Sequence, residues 1–398
     1  MKMDLLFRLC VLIFLWSCSA EGMSDDELMS GFGLEYDLDE LTSEYERVSD
    51  NDSGKSEWIR LELHPHSLID DISKLAVYEK YFVILTLGQN KDVLLFRKDD
   101  GAFVYSFKSD HPELLSDVTD FEIFRDEIYV SNNEKRILSV FDLSDLPFIY
   151  FNRVIQSDLK FDKFCIVDSA NILVYPYMAT LNMVENQMLN YDLLLLDENL
   201  HMKNSYLPYP VEKFHYGPSY NSTTKINFVA PFYESEENEI YFADLMRDTT
   251  YKWDSEKNEI IPFAYHKENT TAQKITKEID LKESIAMMQN SGHPFGAQIF
   301  YADEEGFIFS SVVDSKIYYI YISFSASKYK LLNIVDFKNE MTLMEAPLGF
   351  PFLHIDSKLN VYAVIIPYLY PEEELQEQGL IKEDNPVIVK YSLDGYLP

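Results

Sequence analysis

His64-Pro65-His66 sets two imidazoles two residues apart, the one spacing in this chain that suggests a metal pair. Two nitrogens make an incomplete site, and no Cys or acidic pair stands nearby at ligand spacing. The tripeptide follows a strand-like run, so an exposed strand end is the expected role. His111, His201, His215, His266, His293 and His354 are scattered through the chain, and only the fold could gather them. Cys165, in Phe164-Cys165-Ile166-Val167, reads as a small buried hydrophobe rather than a nucleophile. The chain has no Gly-x-Ser-x-Gly elbow, no Gly-x-x-x-x-Gly-Lys phosphate loop and no His-Glu-x-x-His pattern. No catalytic residue, metal ligand or cofactor is assigned.

Recognition has better candidates than catalysis. Tyr216-Gly217-Pro218-Ser219-Tyr220-Asn221 joins aromatic rings to turn formers, as does Gln289-Asn290-Ser291-Gly292-His293-Pro294-Phe295. Tyr216, Tyr220, Asn221, Asn290, His293 and Phe295 are the expected ligand-binding residues, because stacking rings beside directed amides suit sugars or peptides. The plainer alternative is that these rings only close the tops of their loops.

The N-terminus carries an address. Lys2 and Arg8 precede the apolar run Leu9 to Trp16, too short to span a bilayer and suited to a secretory signal. Leu15-Trp16-Ser17-Cys18 reads as a lipobox, so residues 1–17 are expected to be removed and Cys18 lipidated. A plain signal peptide cut after Ala20 is the alternative. Residues 18–56 form an acidic tether: between 19 and 56, 12 Asp or Glu face only Arg47 and Lys55. Leu28, Met29, Phe32, Leu34, Tyr36, Leu38, Leu41 and Tyr45 are apolar for a pure spacer. Part of residues 24–46 is therefore a candidate to dock on the domain or form a short helix.

The whole chain has 398 residues and 67 acidic against 34 basic side chains, a net charge of −33. Repulsion from phosphates excludes nucleic acid as a partner. Aromatics at 15% favour strands. No apolar run of about 18 residues follows residue 20, so no later membrane helix is expected.

From Trp58 onward one phrase recurs six times: an apolar strand, a polar turn, then a second strand often ending in Asp. The first strands centre on Ile84, Ile128, Leu173, Ile240, Phe307 and Val361, at steps of 44, 45, 67, 67 and 54 residues. The shorter steps match a four-stranded propeller blade, and the longer ones need insertions. We read residues 57–398 as an all-β, six-bladed β-propeller with four-stranded blades, the apolar strands lying against the axis. Trp58-Ile59-Arg60-Leu61-Glu62-Leu63 alternates at period two and is expected to close the ring as outer strand of the blade completed by Val387-Ile388-Val389-Lys390-Tyr391. A pair of β-sandwiches accounts for the strands but not for the recurrence. A seven-bladed ring would need a degenerate blade between residues 176 and 239. The insert Tyr370 to Gly379 reads as a short helix, with Pro371 at its start and Gly379 at its stop.

Cys18, the Ile-Tyr-Val or Ile-Tyr-Phe strands, Asp248-Thr249-Thr250-Tyr251-Lys252-Trp253-Asp254 and Glu383-Asp384-Asn385-Pro386-Val387-Ile388-Val389-Lys390-Tyr391 give the chain a resemblance to the six-bladed β-propeller lipoproteins of Bacteroidetes. The resemblance covers roughly residues 57–394. It implies a cell-envelope protein of largely unassigned role. The Ser-x-Asp-x-Gly-x-x-Trp turns of neuraminidase-type propellers are missing, and calcium-dependent lactonase chemistry stays open because oxygen ligands abound. The expected function is a non-catalytic binding or scaffolding propeller, held to the bacterial envelope (the outer membrane) by its lipid and recognising a glycan, peptide or envelope protein. The alternative is a metal-dependent hydrolase or lyase with its site at the propeller axis.

Overall fold

Tyr81-Phe82-Val83-Ile84-Leu85 is aromatic or aliphatic at every position, and such a strand must be covered on both faces. The computed structural model shows how. It describes residues 34–36, 56–88, 91–161, 163–176, 183–184, 187–188, 191–208, 231–235, 237–243, 249–266, 295–313, 316–324, 328–336, 352–393 and 397. Phe82 and Ile84 pack toward Tyr362, Val364 and Ile388 on one side. Tyr81, Val83 and Leu85 pack toward Phe121, Val130 and Phe141 on the other. Each face of the strand meets a different neighbouring sheet.

Two strands come before blade 1 in the chain, β1 (Leu34–Tyr36) and β2 (Glu57–Arg60), and β2 is the outer strand of blade 6. Blade 1 is β3 (Asp71–Tyr78), β4 (Tyr81–Leu87), β5 (Val93–Arg97) and β6 (Phe103–Ser106), followed by the single turn α1 (Phe107–Asp110). Blade 2 is β7 (Val118–Phe124), β8 (Glu127–Asn132), β9 (Ile137–Asp142) and β10 (Tyr150–Gln156). Blade 3 is β11 (Lys163–Asp168) and β12 (Asn171–Tyr175), an inserted hairpin of β13 (Met183–Val184) and β14 (Gln187–Met188), then β15 (Tyr191–Leu196) and β16 (Met202–Pro208). Blade 4 is β17 (Phe232–Glu234), β18 (Ile240–Ala243), β19 (Thr249–Asp254) and β20 (Glu259–His266). Blade 5 is β21 (Phe295–Ala302), β22 (Gly306–Val313), β23 (Lys316–Ser323) and β24 (Lys328–Asp336). Blade 6 is β25 (Phe352–Ile355), β26 (Asn360–Ile365), the insert helix α2 (Glu372–Glu377) and β27 (Val387–Ser392).

Among the described residues there are six blades and six hydrophobic clusters, one between each pair of neighbours. The cluster joining blades 6 and 1 makes the arrangement a ring rather than an arc. Among the described residues, the stretch from 176 to 239 holds the β13–β14 hairpin, the outer half of blade 3 and the first strand of blade 4, and no further four-stranded sheet.

One expectation needs correction. The recurring apolar strands do not lie against the axis; they are the second strand of each blade. The first strands approach one another across blades, β7 beside β11, β17 beside β21, β21 beside β25 and β25 beside β3. The second strands are apolar because they sit in the middle of the packing between blades. The axial ones are freer to carry charge.

Ring closure is as expected. Glu57, Trp58, Ile59 and Arg60 pair antiparallel with Lys390, Val389, Ile388 and Val387. The chain then crosses to blade 1, where the Glu62 amide donates to the Gly101 carbonyl (2.9 Å) and the Phe103 amide to the Glu62 carboxylate (2.8 Å). Asn385 fastens the crossing: its amide nitrogen donates to the carbonyls of Glu62 and Ser67, and its oxygen accepts from the Ile69 amide. The insert helix α2 is tied to the same seam, since the Arg60 guanidinium donates to the carbonyls of Gln378 and Gly379. Within the acidic segment, Leu34, Glu35 and Tyr36 pair in parallel with Ala264, Tyr265 and His266, so β1 adds a fifth strand to blade 4. No helix among the described residues is long and apolar enough to cross a membrane.

Candidate functional site

Where first strands converge, side chains from different blades meet. Lys74 reaches from β3 of blade 1 to β7 of blade 2. Its ammonium donates to Glu122 Oε1 (2.5 Å), to the Phe121 carbonyl (2.6 Å) and to Asp120 Oδ1 (3.2 Å). Asp120 is almost wholly buried. It accepts from the Phe164 amide of β11 (3.2 Å) and pairs with Lys163 (3.6 Å), so one carboxylate links three blades. Period-two alternation on β7 turns Asp120 and Glu122 to the same side.

The electrostatics follow from burial. Desolvation pushes the Glu122 carboxyl up to about 7, against the pull of Lys74, and Asp120 adds to the rise. Glu234 on β17 is also raised by burial and drawn back by Lys74. Lys74 is held above the usual lysine range: burial opposes its charge, but Asp120 and Glu122 outweigh it. Burial pushes the Cys165 thiol up, with Glu122 and Glu234 adding to the effect, which keeps it protonated and unreactive. The cluster can hold blades 1, 2 and 3 in register. Among the described residues no three His, Cys, Asp or Glu side chains converge as metal ligands.

A second polar site lies at the seam. Pro65, His66, Leu68, Asp92, Leu94, Lys108 and Ser109 line a pocket of about 260 Å³. Its polar groups are largely satisfied from within. Asp92 accepts from the Ser106 hydroxyl (2.5 Å) and the Lys108 amide (2.8 Å), and burial raises it to about 6. The Lys108 ammonium donates to the Lys91 carbonyl. His66 Nδ1 lies 3.1 Å from the Ser109 hydroxyl, and the His66 amide donates to His64 Nδ1. The His64 ring stacks on Phe103 at 4.7 Å. The two imidazoles are thus spent on shaping the crossing from blade 6 to blade 1.

Cys18, Tyr216, Tyr220, Asn221, Asn290 and His293 lie outside the described residues. Phe295 opens β21, where its backbone pairs with Val312. Sequence reasoning missed Lys74, Asp120, Glu122 and Glu234. Their signal is a charged residue inside a strand that precedes an apolar strand by a tight turn, as in Asp120-Phe121-Glu122 before Arg125-Asp126.

Six cores between six blades set the terms of comparison with known proteins. A family model described as 6-bladed beta-propeller matches residues 39–362. The chain belongs to that family. Among solved structures it is similar to a Bacteroides fragilis protein named as exported, at 11% identity and TM-score 0.63, covering 90% of this chain and 98% of the other. It also matches virginiamycin B lyase from Staphylococcus aureus at 11% identity and TM-score 0.41, covering 78% and 81%. At these identities the likeness concerns the fold. No curated protein matches the sequence.

Proposed function

We propose that this member of the 6-bladed beta-propeller family is a cell-envelope lipoprotein, anchored through Cys18, that binds a glycan, peptide or partner protein without catalysing a reaction. The observation that carries the reading is Lys74. Its ammonium donates to Asp120, Glu122 and the Phe121 carbonyl, so these carboxylates are spent on joining blades. Recognition is then left to the loops and outer edges of a rigid ring. The apolar stretch before Cys18 and the named export of the Bacteroides fragilis neighbour agree with an envelope location.

The test is binding by the anchored chain to glycan arrays and to solubilised envelope proteins. A saturable ligand or partner, with lipid on Cys18 found by mass spectrometry, is the expected result. No ligand on either screen, or an unmodified N-terminus at Glu21, contradicts the corresponding half of the proposal. A second reading draws on Glu122, whose carboxyl near 7 would suit a general acid in an axial hydrolase or lyase. Metal found on the purified protein, together with activity abolished by chelators, would favour it.

A further inference from the structure

Blade 2 ends in an unusually bare strand. β10 is exposed at every position except Ile155. Two other outer edges are partly covered: β6 is bridged by Glu62, and β20 carries β1 along it. Phe148 is 63% exposed and Tyr150 54%, with Phe151 and Val154 also exposed beside them. A row of large apolar side chains along a sheet edge with no further strand beside it, among the described residues, is a template for strand addition unless something blunts it.

The edge is also held still. Phe151 packs against Phe141 at 5.7 Å between ring centroids, and Asn152 and Arg153 are tied back to the Glu127 carboxylate (2.6 and 2.7 Å). Its ends differ in charge. Asp142 pairs with Tyr150 at one end with Asp145 close by, whereas Lys135 and Arg136 flank Gln156 at the other. A second copy of this chain is a poor occupant: its net charge of −33 repels itself, and the bulge between Phe151 and Arg153 spoils pairing of two identical edges. Blade 4 shows what does fit, because its outer edge takes the extended segment Leu34–Tyr36 in strand register.

We propose that the outer edge of blade 2 takes an extended segment of a partner protein as a fifth strand, with a basic residue of that segment toward the exposed Asp145. The inference rests on the binding reading above and names its partner class. Backbone hydrogen bonds supply affinity in such an addition, and the exposed Tyr150 and Val154 supply selectivity.

Hydrogen exchange on the full chain tests it, using the acetylated peptide Lys-Val-Thr-Val-Thr-Val-Glu as probe and Glu-Val-Thr-Val-Thr-Val-Glu as control. At saturating probe, exchange of the 150–156 amides is expected to slow at least about tenfold, with β16 unchanged and the control inert. No slowing at 150–156, or equal slowing at β16, overturns the proposal. The double variant Tyr150→Lys/Val154→Lys, folded by its circular dichroism melt, is expected to lose the protection. It should also lose at least about tenfold in affinity for any envelope protein the wild type retains. If wild type and variant retain that protein equally, the edge assignment falls while the binding reading stands. If the probe protects the edge but the wild type retains neither protein nor glycan, the binding reading fails by itself.

Discussion

The Asn385 side chain and the Ile69 amide, 316 positions apart in sequence, share a hydrogen bond of 3.1 Å at the seam of the ring. The same carboxamide donates to the Glu62 and Ser67 carbonyls at 2.7 Å each. One buried side chain thus satisfies three backbone groups of the segment that carries the chain from the closing strand into blade 1. Asn385→Leu strands the Ile69 amide and the Ser67 carbonyl, at about 1–3 kcal/mol for each group left without a partner, while the Glu62 carbonyl keeps the Ser67 hydroxyl (2.8 Å). The variant is expected to unfold well below wild type in a thermal melt, and Asn385→Asp, which keeps an acceptor for Ile69, to fall between them. An unchanged melting temperature in Asn385→Leu would contradict the role given to the seam.

Gly101 makes a second point of contact at this seam. Its φ is +71°, and a Cβ placed there would lie 2.0 Å from the Arg60 carbonyl oxygen. Backbone and closing strand therefore approach as only glycine allows. Gly101→Ala is expected to cost at least about 1–3 kcal/mol by denaturant titration, more than its place just after the exposed Asp99-Asp100 turn suggests. A loss below about 0.5 kcal/mol would show that the crossing can shift freely.

Glu122 gives the fold a pH dependence of known sign. Its carboxyl is raised from 4.5 to about 7 in the folded chain, chiefly by burial. The folded state holds this proton more tightly than the unfolded state, so the contribution is complete below pH 4.5. It shrinks as pH rises and is lost above about 7, at no more than about 1.4 kcal/mol per pH unit. Melts from pH 4.5 to 7.5 should show the stability of wild type relative to Glu122→Gln falling across this window. A difference that is flat, or that grows with pH, would contradict the burial argument.

His354 works in the opposite direction. Burial and the nearby Lys98 lower it to about 4, against the pull of Asp356. Its contribution is present above pH 6.5 and is lost as pH falls toward 4. His354→Phe is expected to flatten the acid side of the stability profile, read by the same melts, and an unchanged acid limb would count against it.

Much of the ring is legible in the sequence because its physics is local and repeated. Ile84, Ile128 and Val361 head similar phrases since each sits in a strand squeezed between two blades, where both faces must be apolar. Closure is legible in Trp58 to Leu63 because a strand with one covered face alternates. The axis is not legible. Lys74, Asp120 and Glu234 are isolated residues in separate blades, and their meeting depends on ring geometry that no local spacing records. Nor does apolarity show which strand faces the axis: it marks the middle of the packing between blades, not nearness to the centre. His64 and His66 show the converse, a conspicuous spacing absorbed by stacking on Phe103 and a bond to Ser109.

In the function proposed above, the Lys74 ammonium takes the neutralising role at the axial carboxylates that a metal ion would have in a hydrolase or lyase. Calorimetric titration of metal-stripped full chain with calcium and with zinc tests this most directly, alongside Lys74→Ala and Glu122→Gln. No stoichiometric axial binding to wild type is expected at millimolar ion, and Lys74→Ala is the variant able to acquire a site. One ion bound per wild-type chain, with that binding abolished by Glu122→Gln, would contradict it.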